Sequence, residues 1–295
     1  MSSKRIDRVR QLTLLALTGP NVLFLAVFCV APLAVLFSYS FFQVDFVAIV
    51  REPTLANYAR VLESATYRGL VVKALLYGIG IAAICSVIAY PLAFFIAKRV
   101  KVYKAPLLTL LLIPLYTGDL IRIFAWRVVL GAEGVLNSLL MWLGIIKEPI
   151  WVLLFSPFST VVVLTYNYLP FMVLPLWAAI EAMDDSYLEA AMDLGCRHTA
   201  TFFKVVLPLT GAGLIAGFMM VFVLVVGDYL TPQLIGGSSG VTVTSAIHDM
   251  FGAAFDWPTG SALAWVLLTA MAAFITATVY LFYKSPWGRG IRGAK

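Results

Sequence analysis

The stretch "EAAMDLGCRHTATFFKVVLPLT", residues 189–210, places acids, an Arg, a His, a Lys and a Gly between two long apolar runs. A polar insert of this kind needs a reason, because the rest of the chain is unlike a soluble domain. Apolar residues make up 62% of it, charged residues 12%, and the mean hydropathy is +0.95. Those values place the chain in a bilayer. Its apolar runs are long enough to cross a hydrocarbon core of ~30 Å as helices, whereas barrel strands are shorter and alternate in polarity.

Apolar length and interruption predict an all-α membrane protein with six spans, at about 20–42, 71–97, 105–130, 156–180, 208–230 and 258–283. Pro20, Pro208 and Pro258 sit near predicted starts, where the missing N–H has no intrahelical acceptor to lose. The amino-terminal "MSSKRIDRVR" has the charge of a signal-peptide n-region. The apolar run after it is too long, and no A-x-A site closes it, so the first span is expected to stay attached.

Basic residues gather in blocks beside the runs. Lys4, Arg5, Arg8 and Arg10 precede the first span; Lys98, Arg99, Lys101 and Lys104 follow the second; Lys284, Arg289, Arg292 and Lys295 follow the sixth. Residues 231–257 carry no Lys or Arg, and residues 131–155 carry only Lys147. The positive-inside rule then puts both termini and the polar insert in the cytoplasm. Residues 43–70 run against it with Arg51, Arg60 and Arg68, though Asp45, Glu52 and Glu63 accompany them. This clustering also accounts for the net charge of +6 without a nucleic-acid partner.

No fixed-period repeat or linker divides the chain, so residues 1–295 read as one transmembrane domain, with a core at about 68–284 and a cytoplasmic loop at about 181–207. Cys29 and Cys85 fall in apolar runs and Cys196 in the insert, which is not a disulfide framework. Two His, predicted on opposite faces of the membrane, make no metal site. No H-E-x-x-H, G-x-S-x-G or clustered carboxylates mark a catalytic centre. The glycine cluster "GGSSG" (236–240) lacks the Lys of a phosphate-binding loop, so no ATP site is expected on this chain.

From Asp184 to Lys204, Leu188, Ala191, Met192, Phe202 and Phe203 lie between charged residues as in short amphipathic helices. Acids crowd the first half and bases the second, in keeping with a helix dipole running to about Leu194. Gly195 supplies the permissive backbone of a turn. Physical reasoning leaves two readings: a connector resting on lipid, or a helix-in-groove docking element.

The spacing of Glu189, Ala190 and Ala191, then Gly195, then Val205, Leu207 and Pro208 resembles the EAA signature of ABC importer permeases, E-A-A, three residues, G, nine residues, I, one residue, L-P. Val205 stands where the signature has Ile. "LYTGDLIRIFAWRVVLG" (115–131), "GVLNSLLMWLGII" (134–146), "YNYLPFMVLPLWAAIE" (166–181), "GDYLTPQLIGG" (227–237) and "DWP" (256–258) extend the likeness to the first permease subunit of spermidine/putrescine importers. Sister importers of opines, other amines and organic anions share parts of these segments. The resemblance implies a type I ABC importer permease fold in the bacterial inner membrane, with the insert as coupling helices. It further implies a second, paralogous permease subunit, two ATP-binding subunits that hold ATP and Mg, and a periplasmic solute-binding protein.

Charged residues at membrane depth need a partner, a wet cavity or a cargo. On a continuous helix from Ala105, Asp119 stands roughly 21 Å along the axis, in the outer half of the bilayer. It either pairs with Arg122 at i, i+3 or meets cargo. Asp228 either bonds freed backbone groups where the fifth span ends or meets cargo. Tyr229, Tyr166, Tyr116, Trp126 and Tyr168 offer aromatic faces for an amine, or serve as interfacial anchors. The cargo path is predicted at Asp228 and Tyr229 first, then Asp119 and Tyr166, with Tyr116 and Trp126. The other class open at this point is a self-contained secondary transporter using Asp119 and Asp228.

Overall fold

A computed structural model describes residues 16–45 and 48–284. The basic blocks at 4–10 and 289–295 lie outside the described residues. Apart from one small hairpin, the described chain is helical. Five helices are long and apolar enough to span a membrane, six if one bent pair counts as a single span.

The chain forms two compact units. One comprises the described residues up to Ser64 together with Ile247–Val266. Its first helix, α1 (Ala16–Tyr39), has no buried residue in its apolar stretch and contains a π-turn at Ala26–Val30. Strands β1 (Gln43–Asp45) and β2 (Ala48–Val50) pair antiparallel, Val44 opposite Ile49. Helix α2 (Ala56–Glu63) is fixed by Asn57, whose Nδ2 donates to the carbonyls of Ser40 (3.0 Å) and Phe42 (2.7 Å). In the same unit Phe37 meets Trp265 edge-on.

The larger unit, Ala65–Ala246 with residues 267–284, holds α3 (Ala65–Lys98), α4 (Lys104–Leu112), α5 (Asp119–Leu130), α6 (Val135–Trp142) and α7 (Pro157–Glu181). The polar hairpin of α8 (Ser186–Asp193) and α9 (His198–Leu209) follows, then α10 (Gly211–Gly227) and α11 (Leu230–Ile235). Two helices, α12 (Val243–Phe251) and α13 (Trp257–Lys284), complete the chain.

Helices α3, α7 and α10 pack against one another more extensively than any other elements. Small residues permit it. A Cβ at Gly213 would collide with Ala179 and the Pro175 carbonyl on α7; one at Gly217 would press on Met172, and one at Gly78 on Val226 and Phe222. Apolar side chains find no hydrophobic drive to associate within lipid, so close backbone approach through small residues is what holds such helices together. Gly213→Val should therefore lower the thermal midpoint of the purified protein, at a cost of roughly 1–3 kcal/mol for overpacking. A midpoint equal to wild type would show that this contact is not tight.

Two expectations are corrected. The predicted third span, 105–130, is not one helix: α4 runs through a 3₁₀ turn at Ile113–Tyr116 and stops, Thr117 and Gly118 are extended, and α5 starts afresh at Asp119. Pro114 removes a backbone donor there and Gly118 forms the cap of the next helix. The membrane-length run is instead Asp119–Trp142. Asp119 thus opens a helix, and its height cannot be counted from Ala105. The predicted fifth span, 208–230, holds α10, which is shorter at both ends and begins at an elbow: α9 and α10 meet at 70° across Thr210, and helix ends at Gly227.

Candidate functional site

The polar hairpin is built on a glycine turn. Gly195 has φ +78°, its N–H donates to Met192 O (2.9 Å), and Cys196 N–H reaches back to Ala191 O (3.0 Å). These are the two bonds of a Schellman motif, which satisfies the last carbonyls of α8 and redirects the chain into α9. At its start, the Ser186 backbone N–H donates to Asp184 Oδ1 (2.9 Å), which holds the exposed Asp184 carboxyl below its ordinary pKa. Lys98 at the end of α3 pairs with Asp185 (2.7 Å) and donates to Met183 O (2.5 Å). Lys104 pairs with Glu181 (2.5 Å). The hairpin is therefore tied to neighbouring helix ends on its near side.

Its far side is open. Glu189 and Ala190 are exposed, and the Glu189 side chain has no ion-pair or hydrogen-bond partner among the described residues. Ala191 is buried against the chain itself, at 6% exposure, so its small side chain serves internal packing. Leu207 and Pro208 are half-buried just before the elbow.

A second feature gathers where α10 ends. A cavity of about 350 Å³ is lined by Asp119, Tyr168, Gly227, Asp228, Tyr229 and Leu230, with Val223 and Leu224 behind them. Asp228 leaves the helix in an extended conformation. Its Oδ1 accepts from Thr231 N–H (3.0 Å), and its Oδ2 accepts from Thr231 Oγ1 (2.6 Å) and from the Tyr168 hydroxyl (3.0 Å). It caps α11 and anchors α7 at once. Asp119 is ion-paired with Arg122 at i, i+3; its side chain is 70% exposed while that of Arg122 is 10% exposed. Nε and Nη1 of Arg122 are buried without a partner among the described residues.

Thus the local readings of both acids hold, and both acids also face one cavity with Tyr229. Three other predicted path residues do not line it. Trp126 and Tyr166 form an edge-on pair, centroids 5.2 Å apart, with Trp126 packed on the cluster of Ile123, Leu130, Val163 and Ile235. Tyr116 is almost fully exposed elsewhere. The aromatic residue that α7 brings to the cavity is Tyr168. The signal for it was helical: Tyr168, Met172, Pro175 and Ala179 recur at i, i+4, i+7 and i+11, and the last three abut the α10 glycines. Tyr166 lies about 200° around the helix from that face.

Membrane-length helices, an exposed glycine-turned hairpin and a polar cavity at the end of the next helix describe a transport permease. The chain belongs to the family described as "Binding-protein-dependent transport system inner membrane component", which residues 9–285 match. It is a multi-pass inner-membrane protein of that kind. Its relatives include the spermidine/putrescine transport system permease protein PotB of Salmonella typhimurium, 34% identical over 92% of this chain and 93% of that protein. The proteins of the same name from Escherichia coli (36% identical, 85% and 91% covered) and Haemophilus influenzae (38% identical, 79% of each covered) are similar too. In structure the chain resembles a bacterial ABC transporter involved in import of the acidic polysaccharide alginate, with a TM-score of 0.74 at 14% identity over 97% of this chain and 100% of that one. That last likeness concerns the fold alone.

Proposed function

We propose that this chain is the non-catalytic permease subunit of an ATP-driven, binding-protein-dependent importer of polyamines or a closely related organic amine. ATP and Mg would sit on two separate ATP-binding subunits. A paralogous second permease would complete the pathway, and a periplasmic binding protein would deliver cargo. The observation that carries the coupling role is the hairpin: a Schellman turn at Gly195 ends α8, whose Glu189 and Ala190 side chains are exposed, that of Glu189 without a partner among the described residues. In this orientation both termini and the hairpin are cytoplasmic. The residues assigned to ATPase coupling are Glu189, Ala190, Ala191, Gly195, Leu207 and Pro208, with Ala191 acting from inside.

The amine assignment rests on relatives 34–38% identical over most of the chain and on the chemistry of the cavity. Of the two carboxylates lining it, Asp119 is offset by its pair with Arg122 and Asp228 has no ion pair among the described residues, which leaves a net negative charge, and Tyr168 and Tyr229 add ring faces that attract a cation by ~0.5–2 kcal/mol each. A carboxylate that already accepts three hydrogen bonds binds cargo weakly, as a passage requires. A self-contained secondary transporter would leave the outward face of α8 without a role.

The coupling role is tested with a cysteine at Ala190 in a background lacking Cys29, Cys85 and Cys196. A short bifunctional reagent should link it to the ATP-binding subunit in the assembled complex, in a nucleotide-dependent yield. Absence of that product in every nucleotide state, with the complex intact, would reject docking.

A further inference from the structure

A larger cavity, about 850 Å³, lies between the last third of α3, the hairpin and the first turns of α10. Its walls are apolar, set by Val87, Pro91, Phe94, Phe202 and Leu214. The polar groups among its lining are consumed internally: Ser86 Oγ donates to Ala82 O (2.7 Å), Thr201 Oγ1 to Arg197 O (3.2 Å), and the Tyr90 hydroxyl is bonded to Thr210. Among the described residues no acid lines it, so an amine cargo finds nothing there to neutralise it.

The only charged or titratable side chains offered to a ligand's head are Arg99 and His198. Both are exposed, and neither has an ion pair or side-chain hydrogen bond among the described residues. Within its block Lys98 is neutralised by Asp185 and Lys104 by Glu181, and of the two cations left without an ion pair among the described residues, Arg99 and Lys101, it is Arg99 that lines the cavity. An apolar slot between helices with an uncompensated cation at its rim is built for an amphiphile with an anionic head. Basic pockets between membrane helices on the cytoplasmic side take the head groups of anionic lipids.

We infer that this cavity is a binding site for an anionic phospholipid of the inner leaflet, its head on Arg99 and His198 and an acyl chain between α3 and α9. The inference rests on the orientation given above. The chain would lie against Phe202, which meets the Tyr90 ring edge-on at 4.8 Å, and Tyr90 in turn is bonded to Thr210 at the elbow. A lipid there stiffens the joint through which the hairpin acts on α10.

The test is native mass spectrometry of the assembled transporter exchanged into phosphatidylglycerol or phosphatidylcholine, with wild type, Arg99→Ala and Val87→Trp. Loss of one cation near the surface should cut the preference for phosphatidylglycerol about fivefold. Val87→Trp, which fills the slot without changing charge, should remove the retained lipid of both kinds. Equal retention of phosphatidylglycerol by all three proteins would overturn the site. So would a photoreactive residue at Phe203 that captures the ATP-binding subunit or second permease and never lipid. Linkage of Ala190 to the ATP-binding subunit separates the outcomes: its persistence beside a failed lipid test rejects the lipid site alone, and its loss rejects the coupling role.

Discussion

Gly195→Asp should leave the permease folded and inserted while uptake falls roughly thirtyfold, the scale of a hot-spot contact worth ~2 kcal/mol. A Cβ at Gly195 points into open space, so the only local cost is the left-handed backbone at φ +78°. Asp and Asn tolerate that region better than other L-residues. The damage is therefore to docking, through a new negative charge beside Glu189. ATP hydrolysis should continue at its basal rate without responding to loaded binding protein. Gly195→Asn, similar in shape and neutral, should keep most uptake. Gly195→Val should instead lower the amount of folded protein, since a β-branched residue is poorly suited to this backbone. Normal transport by Gly195→Asp, in vesicles with matched permease content, would refute the coupling role.

Asp228→Asn should reduce polyamine uptake by roughly ten- to hundredfold, corresponding to ~1.5–3 kcal/mol for a hydrogen bond involving a charged group. The substitution keeps Oδ1 as acceptor for Thr231 N–H. On the other side Nδ2 can donate to the Thr231 and Tyr168 oxygens, which accept as readily as they donate. The cap of α11 and the tie to α7 survive while the charge does not. Tyr168→Phe removes one donor to Asp228 and should cost only ~0.5–1.5 kcal/mol, or about two- to tenfold in uptake. Asp228→Ala should also lower stability by ~1 kcal/mol through loss of the cap. The measurement is initial uptake of labelled polyamine into proteoliposomes at saturating binding protein. Unchanged rates in Asp228→Asn would remove this carboxylate from the path.

Hydropathy made most of the helices legible, since apolar runs near 20, 71, 156 and 258 became α1, α3, α7 and α13 with shifts of only a few residues at most ends. The start of α3 lies at Ala65, and hydropathy places it later, at residue 71, because Arg68 lies in its first turns and depresses the local average. What hydropathy could not register was direction. The break at Thr117 and Gly118 sits inside a run that stays apolar on average despite Asp119 and Arg122 just after it, and the 70° turn at Thr210 follows from backbone geometry rather than composition. The glycine turn at 195 was readable because αL caps favour one residue type. Asp119 and Asp228 were readable because acids are rare in apolar runs. Choosing between Tyr166 and Tyr168 needed the face of α7 that meets the α10 glycines, and that face depends on a partner helix far away in sequence.

The seating of α10 on α7 through Gly213 and Gly217, and on α3 through Gly78, bears on how force crosses the bilayer. With side chains this small at the crossing points, α10 cannot slide along its neighbours like a piston without losing the contacts that hold it. In the importer proposed above, the movement left to it would be a tilt together with α3 and α7, with the elbow at Thr210 as fulcrum. A rod of 17 residues is about 25 Å long, so a tilt of about 10° at one end displaces Asp228 at the other by about 4 Å. That is comparable to the width of an alkylammonium, so in the proposed importer a small tilt would change the gap between Asp228 and Asp119 by about one cargo width.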